Sequence, residues 1–168
     1  MMNLNSSDLM WLLDRTTEAV RNIDAKNGII TAIIAGLAAV LFSNESFTDA
    51  VSIAFSQNYL FSSLLIVCAS LATMVVLISL FASIIPRVKC KDDSLIYSGK
   101  ISKYNSLDAY RKEISNSSYE FDKDLTSQIF INSQICKTKT KWNQIATIAL
   151  YLVIVLIIMF SVLFAIGV

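Results

Sequence analysis

Three long stretches of the chain carry no charged residue. They cover residues 27–44, 59–86 and 142–168. A helix rises about 1.5 Å per residue and the hydrocarbon core of a bilayer is about 30 Å thick, so about 20 apolar residues cross it. The second and third stretches exceed this length, and the first lies near the short end of the spanning range. The pattern therefore predicts three transmembrane helices.

The polar segment before the first stretch has helical periodicity. Ser6 to Asp8 is typical of a helix start, and Leu9 and Leu13 begin an apolar face among charged residues. No Pro or Gly occurs between this start and Gly28. We therefore predict an amphipathic helix that continues into the first span as one rod of about 35 residues. Ala32 and Gly36 in that span have a spacing that permits close helix contact in lipid.

The longest polar segment, residues 87–141, also has helical signals. Ser106 is a candidate helix start before LDAYRKEI, and an apolar face runs from about Tyr119 into the third span. Nothing interrupts that last run before Gly167. The third span is thus predicted to extend into the cytoplasm as a rod of about 45 residues, and the two rods with the helical insert form a small bundle.

The predicted fold class is an all-α membrane protein with three transmembrane helices, the first and third extended into a small cytoplasmic helical bundle. Residues 45–58, a polar to amphipathic segment, can form a short helix along the membrane surface. The predicted segments are a cytoplasmic amphipathic helix (1–26), transmembrane helix 1 (27–44), an external loop (45–58), transmembrane helix 2 (59–86), a cytoplasmic helical region (87–141) and transmembrane helix 3 (142–168).

The location of charge predicts the orientation. All 14 Lys and Arg residues lie before residue 27 or between 87 and 141, whereas the loop between the first two spans has two acids and no base. Basic residues are enriched on the cytoplasmic side of membrane proteins. We expect a multi-pass membrane protein with its N-terminus in the cytoplasm and its C-terminus outside.

The composition argues against an enzyme. The chain contains no histidine, which removes the commonest general base and metal ligand, and its three cysteines form no CxxC pair. No phosphate-binding or hydrolase motif is present. We predict no catalytic residue, no metal and no cofactor.

A group of basic and aromatic residues in the 87–141 region is a candidate ligand site. Cations beside aromatic rings suit an anionic nucleotide, because the ring stacks on the base and the cation meets the phosphate. The alternative is a basic surface near anionic lipid. The candidate contacts are Tyr97, Lys100, Lys103 and Tyr104, with Tyr110, Arg111 and Lys112 nearby in sequence.

Several short motifs resemble a known family. Asp24-Ala25-Lys26 leads directly into the first span, YSGKI occupies residues 97–101, and DLTSQI occupies residues 124–129 before a lysine-rich stretch and the last span. In this order and character the chain resembles, over most of its length, the transmembrane effectors of bacterial Pycsar antiphage systems. The most specific points of the resemblance are Asp24, Lys26, Gly99, Asp124 and Gln128.

The resemblance implies a function. In that family a partner cyclase makes a cyclic mononucleotide such as cyclic UMP (cUMP) or cyclic CMP (cCMP) after phage infection, and the effector impairs the inner membrane. Members have no recognisable nucleotide-binding domain, so the resemblance assigns no ligand site. Similar small effectors also occur beside cyclic oligonucleotide synthases, which leaves the signal molecule open. The implied partners are membrane lipid, further copies of the chain and the small nucleotide, without nucleic acid.

The polar residues near the membrane suggest a switch. On this hypothesis Asp24 pairs with a lysine of the bundle, or Gln128 bonds across to the first rod, and the contact holds two packings close in energy. Lys26 and Asp124 lie beside them in the two rods. A nucleotide that neutralises Lys100 or Lys103 then shifts the equilibrium by binding one packing better. The alternative for Asp24 and Lys26 is an interfacial charge pair without further role.

A rival function belongs to a different class. The chain can instead be a constitutive membrane adaptor or a small complex subunit, whose cytoplasmic helices bind a protein partner and no nucleotide. The effector hypothesis predicts a response to a nucleotide signal, whereas the adaptor hypothesis predicts indifference to it.

Overall fold

The computed structural model describes residues 5–56, 59–85, 95, 101–116 and 121–166. Secondary structure in these residues is helical, with five helices of ten residues or more and no strand. The helices are α1 (Ser6–Ser43), α2 (Glu45–Ser56), α3 (Leu60–Ile84), α4 (Leu107–Asn116) and α5 (Phe121–Ile166). Three of them, α1, α3 and α5, are long and apolar enough to cross a membrane. The prediction of an all-α chain with three long apolar helices is therefore confirmed.

The first and last helices are continuous over the lengths expected from the sequence. Helix α1 has 38 residues and α5 has 46. At the start of α1, the Asn5 carbonyl accepts the backbone N–H of Asp8 at 2.9 Å, and the Asp8 carboxylate accepts the N–H of Asn5 at 3.1 Å. This reciprocal pair satisfies free backbone groups at the helix end, which explains why the helix begins there.

The chain divides into two compact units. The membrane unit comprises Ile23–Ile85 and Lys139–Val168, and the polar unit comprises Met1–Asn22 and Pro86–Thr138. Apart from Pro86, the three charge-free stretches of the sequence fall in the membrane unit.

The core of the membrane unit lies where α1, α3 and α5 meet. Val76 and Ala146 are fully buried there. Small residues such as Ala146 and Ala149 allow close helix approach, which favours helix packing in lipid, where burial of apolar surface gives no driving force. The cluster consists of Ile30, Val76, Leu80, Ala146, Ala149 and Leu150.

The segment predicted to be an external loop contains helix α2. Its residues Ala50 and Ala54 are buried against Leu65 of α3 and Phe160 of α5. Phe47 contacts the Phe160 ring edge to face, with ring centroids 5.7 Å apart. Residues 45–56 are therefore packed on the membrane helices.

The small residues of the first span do not contribute to its packing within the chain. Ala32 and Gly36 are exposed, and a Cβ placed on Gly36 would meet no other atom within 4 Å. Helix α1 packs instead through Ile30, Ile34 and Leu37, which lie on a different face. A close helix contact at Ala32 and Gly36 does not occur among the described residues of this chain.

In the polar unit, α1 and α5 are joined by side-chain hydrogen bonds. Ser6 Oγ donates to Asp122 Oδ1 at 2.7 Å, and Asn132 Nδ2 donates to Thr17 Oγ1 at 3.2 Å. Buried leucines in this unit are Leu9, Leu95 and Leu125. Two points of contact along each helix therefore tie the polar halves of α1 and α5 together.

Helix α4 begins where the sequence predicts. The Ser106 hydroxyl accepts the backbone N–H of Ala109 at 3.2 Å, and the Ser106 carbonyl accepts that of Tyr110. Ser106 is thus an N-cap, a position at which serine satisfies a backbone donor that the helix leaves unpaired. Asp92, Asp93 and Ser94 are a further candidate helix start in the sequence, and they lie outside the described residues.

Two adjacent valines, one buried and one exposed, give a test of the membrane core. We expect Val76→Ala to lower the free energy of unfolding by about 1–2 kcal/mol, because it removes two fully packed methyl groups. Val75 is 44% exposed. Val75→Ala is therefore the matched control and should change stability little. Reversible unfolding in mixed micelles with a denaturing detergent measures both, and equal stabilities would contradict this packing.

Candidate functional site

Three polar side chains, one from each long helix, meet in the membrane unit. Asn27 Nδ2 of α1 donates to Ser83 Oγ of α3 at 2.7 Å. Asn143 Nδ2 of α5 donates to Asn27 Oδ1 at 2.8 Å. Asn27 is 3% exposed and Ser83 is 1% exposed. We call Asn27, Ser83 and Asn143 the polar junction. The side-chain amide of Asn27 acts in it both as a donor and as an acceptor.

The polar junction lies directly beside the apolar core. Asn27, Ser83 and Asn143 each stand three residues from a core residue of their own helix, namely Ile30, Leu80 and Ala146. Residues three apart on a helix lie on the same face. The junction therefore occupies the end of the surface through which the three helices pack.

Asp24 forms an ion pair with Lys139 close to the junction. Lys139 Nζ lies 2.5 Å from Asp24 Oδ1, and the lysine side chain is 15% exposed against 48% for the aspartate. Asp24 precedes Asn27 by three residues and Lys139 precedes Asn143 by four. The ion pair and the Asn27–Asn143 bond are thus two successive contacts between the same helices. Lys26, on the same helix, is exposed.

The other two predicted switch residues belong to the polar unit. Asp124 is 8% exposed and lies beside the buried Leu125, and Gln128 is half-buried one turn later. Asp24 and Lys26 fall in the membrane unit. Of the four predicted switch residues, two therefore belong to the membrane unit and two belong to the polar unit.

The candidate nucleotide contacts are partly described. Tyr97 and Lys100 lie outside the described residues. Lys103 is exposed, and the ring of Tyr104 lies 5.3 Å from that of Tyr110 between centroids, tilted by 51°. The structure therefore places an exposed cation next in sequence to a pair of aromatic rings.

Hydrogen bonding and charge define the chemistry of this aromatic pair. The Tyr110 hydroxyl donates to the Leu95 carbonyl at 3.0 Å. Partial burial, and then the negative charge of Glu113 and the neighbouring Tyr110, raise the pKa of Tyr104 above its ordinary value. A tyrosine phenol is neutral at physiological pH even at its ordinary pKa, so the ring of Tyr104 adds no negative charge that would repel a phosphate.

The membrane unit also contains an apolar cavity of about 440 Å³ among α1, α2, α3 and α5. Two hydroxyls in its lining, Ser70 and Thr73, donate within their own helix to the carbonyls of Ile66 and Ala69 at 2.9 and 2.8 Å. The lining includes no charged residue. The cavity therefore does not fit an anionic nucleotide. No group of three or more His, Cys, Asp or Glu side chains is placed to hold a metal within the ranges described above.

The polar junction was not predicted from the sequence. Asn27 and Trp142 served only as ends of predicted spans. A usable signal was present, because an Asn side chain with two donors and an acceptor needs partners outside its helix when it is buried. The second span has six hydroxyl residues, and which of them bonds to Asn27 depends on how α1 and α3 are rotated about their axes.

A double-mutant cycle separates the ion pair from the junction. We expect the coupling of Asp24→Asn with Lys139→Gln to stay below about 1 kcal/mol and to fall as salt rises, because Asp24 is half-exposed. The coupling of Asn27→Ala with Asn143→Ala should not change with salt, since neither side chain is charged. Thermal unfolding in a non-ionic detergent at low and high salt measures both cycles. A salt-independent Asp24–Lys139 coupling would contradict the expectation.

Comparison with known proteins identifies the family. The family model described as the Pycsar effector protein domain matches residues 8–167, nearly all of the 168 residues. The comparison with curated proteins and the comparison with solved structures gave no match. The match spans the three long apolar helices and the polar junction. The chain therefore belongs to the Pycsar effector family of antiphage defence proteins.

Proposed function

We propose that this chain responds to a cyclic pyrimidine mononucleotide, cUMP or cCMP, by oligomerising and impairing the bacterial inner membrane. The observation that carries the proposal is the extent of the effector domain, residues 8–167, which contains all three helices able to cross a membrane. Signal response and membrane action then belong to one small domain. The signal is made by a partner cyclase, as the family implies.

Packing of the membrane unit supports a requirement for several copies. Val76 and Ala146 are 0% exposed, so side chains fill the space between the three long helices at that level, and the cavity further along the helices is lined by apolar groups and two internally bonded hydroxyls. Three helices around a filled core enclose no water channel. Impairment of the membrane through a pore therefore requires oligomerisation.

The aromatic and basic group supports a nucleotide site in the polar unit. An exposed Lys103 and a neutral Tyr104 beside Tyr110 provide a cation for phosphate and ring surface for a base. Tyr97 and Lys100 add the same residue types in the adjacent sequence. We propose that these four predicted residues, Tyr97, Lys100, Lys103 and Tyr104, contact the ligand.

The Asp24–Lys139 pair is proposed as one of the contacts that the signal changes. It is partly solvated, so it is a weak contact that a modest free energy can break. A ligand shifts a two-state equilibrium only by its difference in affinity for the two states. Asp124 and Gln128 are proposed as the corresponding polar residues of the polar unit.

The proposed location is the inner membrane, with the N-terminus in the cytoplasm and the C-terminus outside. The basic residues on one side of the three spans support this orientation. The candidate nucleotide contacts are then on the side where a cytoplasmic cyclase releases its product.

One observation favours the rival adaptor function. Trp11 of α1 and Phe130 of α5 in the polar unit are 60% and 65% exposed. Exposed aromatic side chains are enriched in protein interfaces. A constitutive adaptor would use such a surface for one protein partner and would purify with it in the absence of nucleotide.

Co-expression tests the proposed function. We expect cells that express the chain together with an active pyrimidine cyclase to lose membrane potential, because the nucleotide shifts the effector to its damaging state. The chain with a catalytically inactive cyclase is the control and should leave the potential unchanged. A potential-sensitive dye gives the readout. An unchanged potential with the active cyclase would exclude the proposal and leave the adaptor function.

Titration of purified protein tests the ligand site. Lys100→Ala and Lys103→Ala should each weaken binding of cUMP or cCMP by about tenfold or more, since each removes a charge-assisted hydrogen bond. Lys137 is an exposed lysine outside the proposed site, so Lys137→Ala is the matched control and should bind as the unmodified chain does. Calorimetry in detergent measures the affinities. Equal affinities in all the variants would place the ligand elsewhere.

A further inference from the structure

The polar junction favours one arrangement of the three membrane helices over others. Apolar side chains contribute to helix association in lipid through close packing, but one apolar contact can be exchanged for another when a helix rotates, so the apolar core specifies rotation and register less strictly than a directional bond does. A hydrogen bond is directional and loses its strength within a small displacement. The two bonds of Asn27 at 2.7 and 2.8 Å therefore define the rotation of α1 relative to both α3 and α5.

The junction is complete within one chain. Asn27 donates to Ser83 and accepts from Asn143. Among the described residues, no buried side-chain nitrogen or oxygen atom lacks a hydrogen-bond partner. The junction thus needs neither a second copy nor a ligand. It stabilises the packing that a single chain adopts by itself.

Any large change in helix packing breaks the junction. Its residues belong to three different helices, so rotation or separation of any of the three long helices removes at least one bond of Asn27. The freed amide must then find water or a polar group of another copy, because a buried polar group without a hydrogen-bond partner is costly. Oligomerisation that repacks the spans has to disrupt these bonds first.

We propose that Asn27, with Ser83 and Asn143, forms the latch that holds the effector in its resting packing, an inference that rests on the proposed membrane-impairing function. The nucleotide signal acts by favouring the packing in which the latch is open. Loss of the latch therefore mimics the signal. Asn27 is the central residue because it alone bonds to both other helices of the latch.

Removal of the latch is the first test. Asn27→Leu in vesicles without nucleotide should release a trapped dye about tenfold faster than the unmodified chain, since each of the two lost interhelical bonds contributes a factor of about three. The matched control is Thr31→Val, because the Thr31 hydroxyl donates to the Asn27 carbonyl within α1 and joins no other helix. Thr31→Val should leave the release rate unchanged.

The outcomes separate the latch from the proposed function. If the unmodified chain releases dye with cUMP or cCMP while Asn27→Leu stays as tight as the control without nucleotide, the latch is wrong and the function stands. If Asn27→Leu leaks and the unmodified chain ignores both nucleotides, the latch stands and the proposed signal is wrong.

A reversible cross-link gives the second test and guards against misfolding. We would introduce Asn27→Cys and Ser83→Cys in a chain in which Cys68, Cys90 and Cys136 are replaced by alanine. The reduced protein lacks the latch and should leak, whereas the oxidised protein has α1 joined to α3 by a disulfide and should not. Formation of the disulfide, seen as a mobility shift that reductant reverses, reports that the two positions touch.

Two results of the cross-linking experiment would contradict the latch. Equal dye release from the oxidised and reduced forms would show that the α1–α3 contact does not control membrane damage. A cross-link that fails to form would contradict the contact between Asn27 and Ser83 from which the latch is derived.

Discussion

A polar side chain buried in a membrane must find its hydrogen-bond partners within the protein, and Asn27 is where this constraint shapes the structure most. The hydroxyls of Ser70, Thr73 and Thr147 donate to carbonyls one turn earlier in their own helices, so they place no demand on neighbouring helices. An amide cannot be satisfied in that way on both its donor and acceptor sides. Asn27 therefore requires α3 and α5 at defined positions, and the apolar core packs around that requirement.

Most of the fold follows from local properties of the sequence. The three long apolar helices, the extension of two of them beyond the apolar stretch and the start of α4 at Ser106 depend on length, absence of helix breakers and capping residues. Each is a property of consecutive residues. The packing of α2 through Ala50 and Ala54 was not predicted, because it requires α2 to turn back onto Leu65 of the next helix and to meet Phe160, which is distant in sequence. The exposure of Ala32 and Gly36 likewise depends on which face of α1 the other helices occupy.

The candidate site shows the same division between local and distant information. Charge at the start of the first span indicated that Asp24 needs a basic partner, but several lysines precede the third span and only the structure selects Lys139. The bonds of Asn27 join residues 56 and 116 positions apart in the chain. Such pairs depend on the rotation and register of three helices together. No periodicity within one helix encodes that combination.

The hydrogen bonds of the polar junction are weak enough for the binding of a small molecule to break them. Interhelical hydrogen bonds in membranes contribute only about 0.6 kcal/mol each, so two of them bias the packing by about tenfold rather than fixing it irreversibly. Moving an equilibrium from almost fully closed to almost fully open needs a ligand preference of about 10⁴-fold. A fully buried ion pair in place of Asn27 and Asn143 would raise that requirement, because separating charges in hydrocarbon is far more costly. The neutral amides of the junction and the half-solvated Asp24–Lys139 pair beside them favour one specific packing. Their total strength is still small enough for the binding of a nucleotide to shift the equilibrium to another packing.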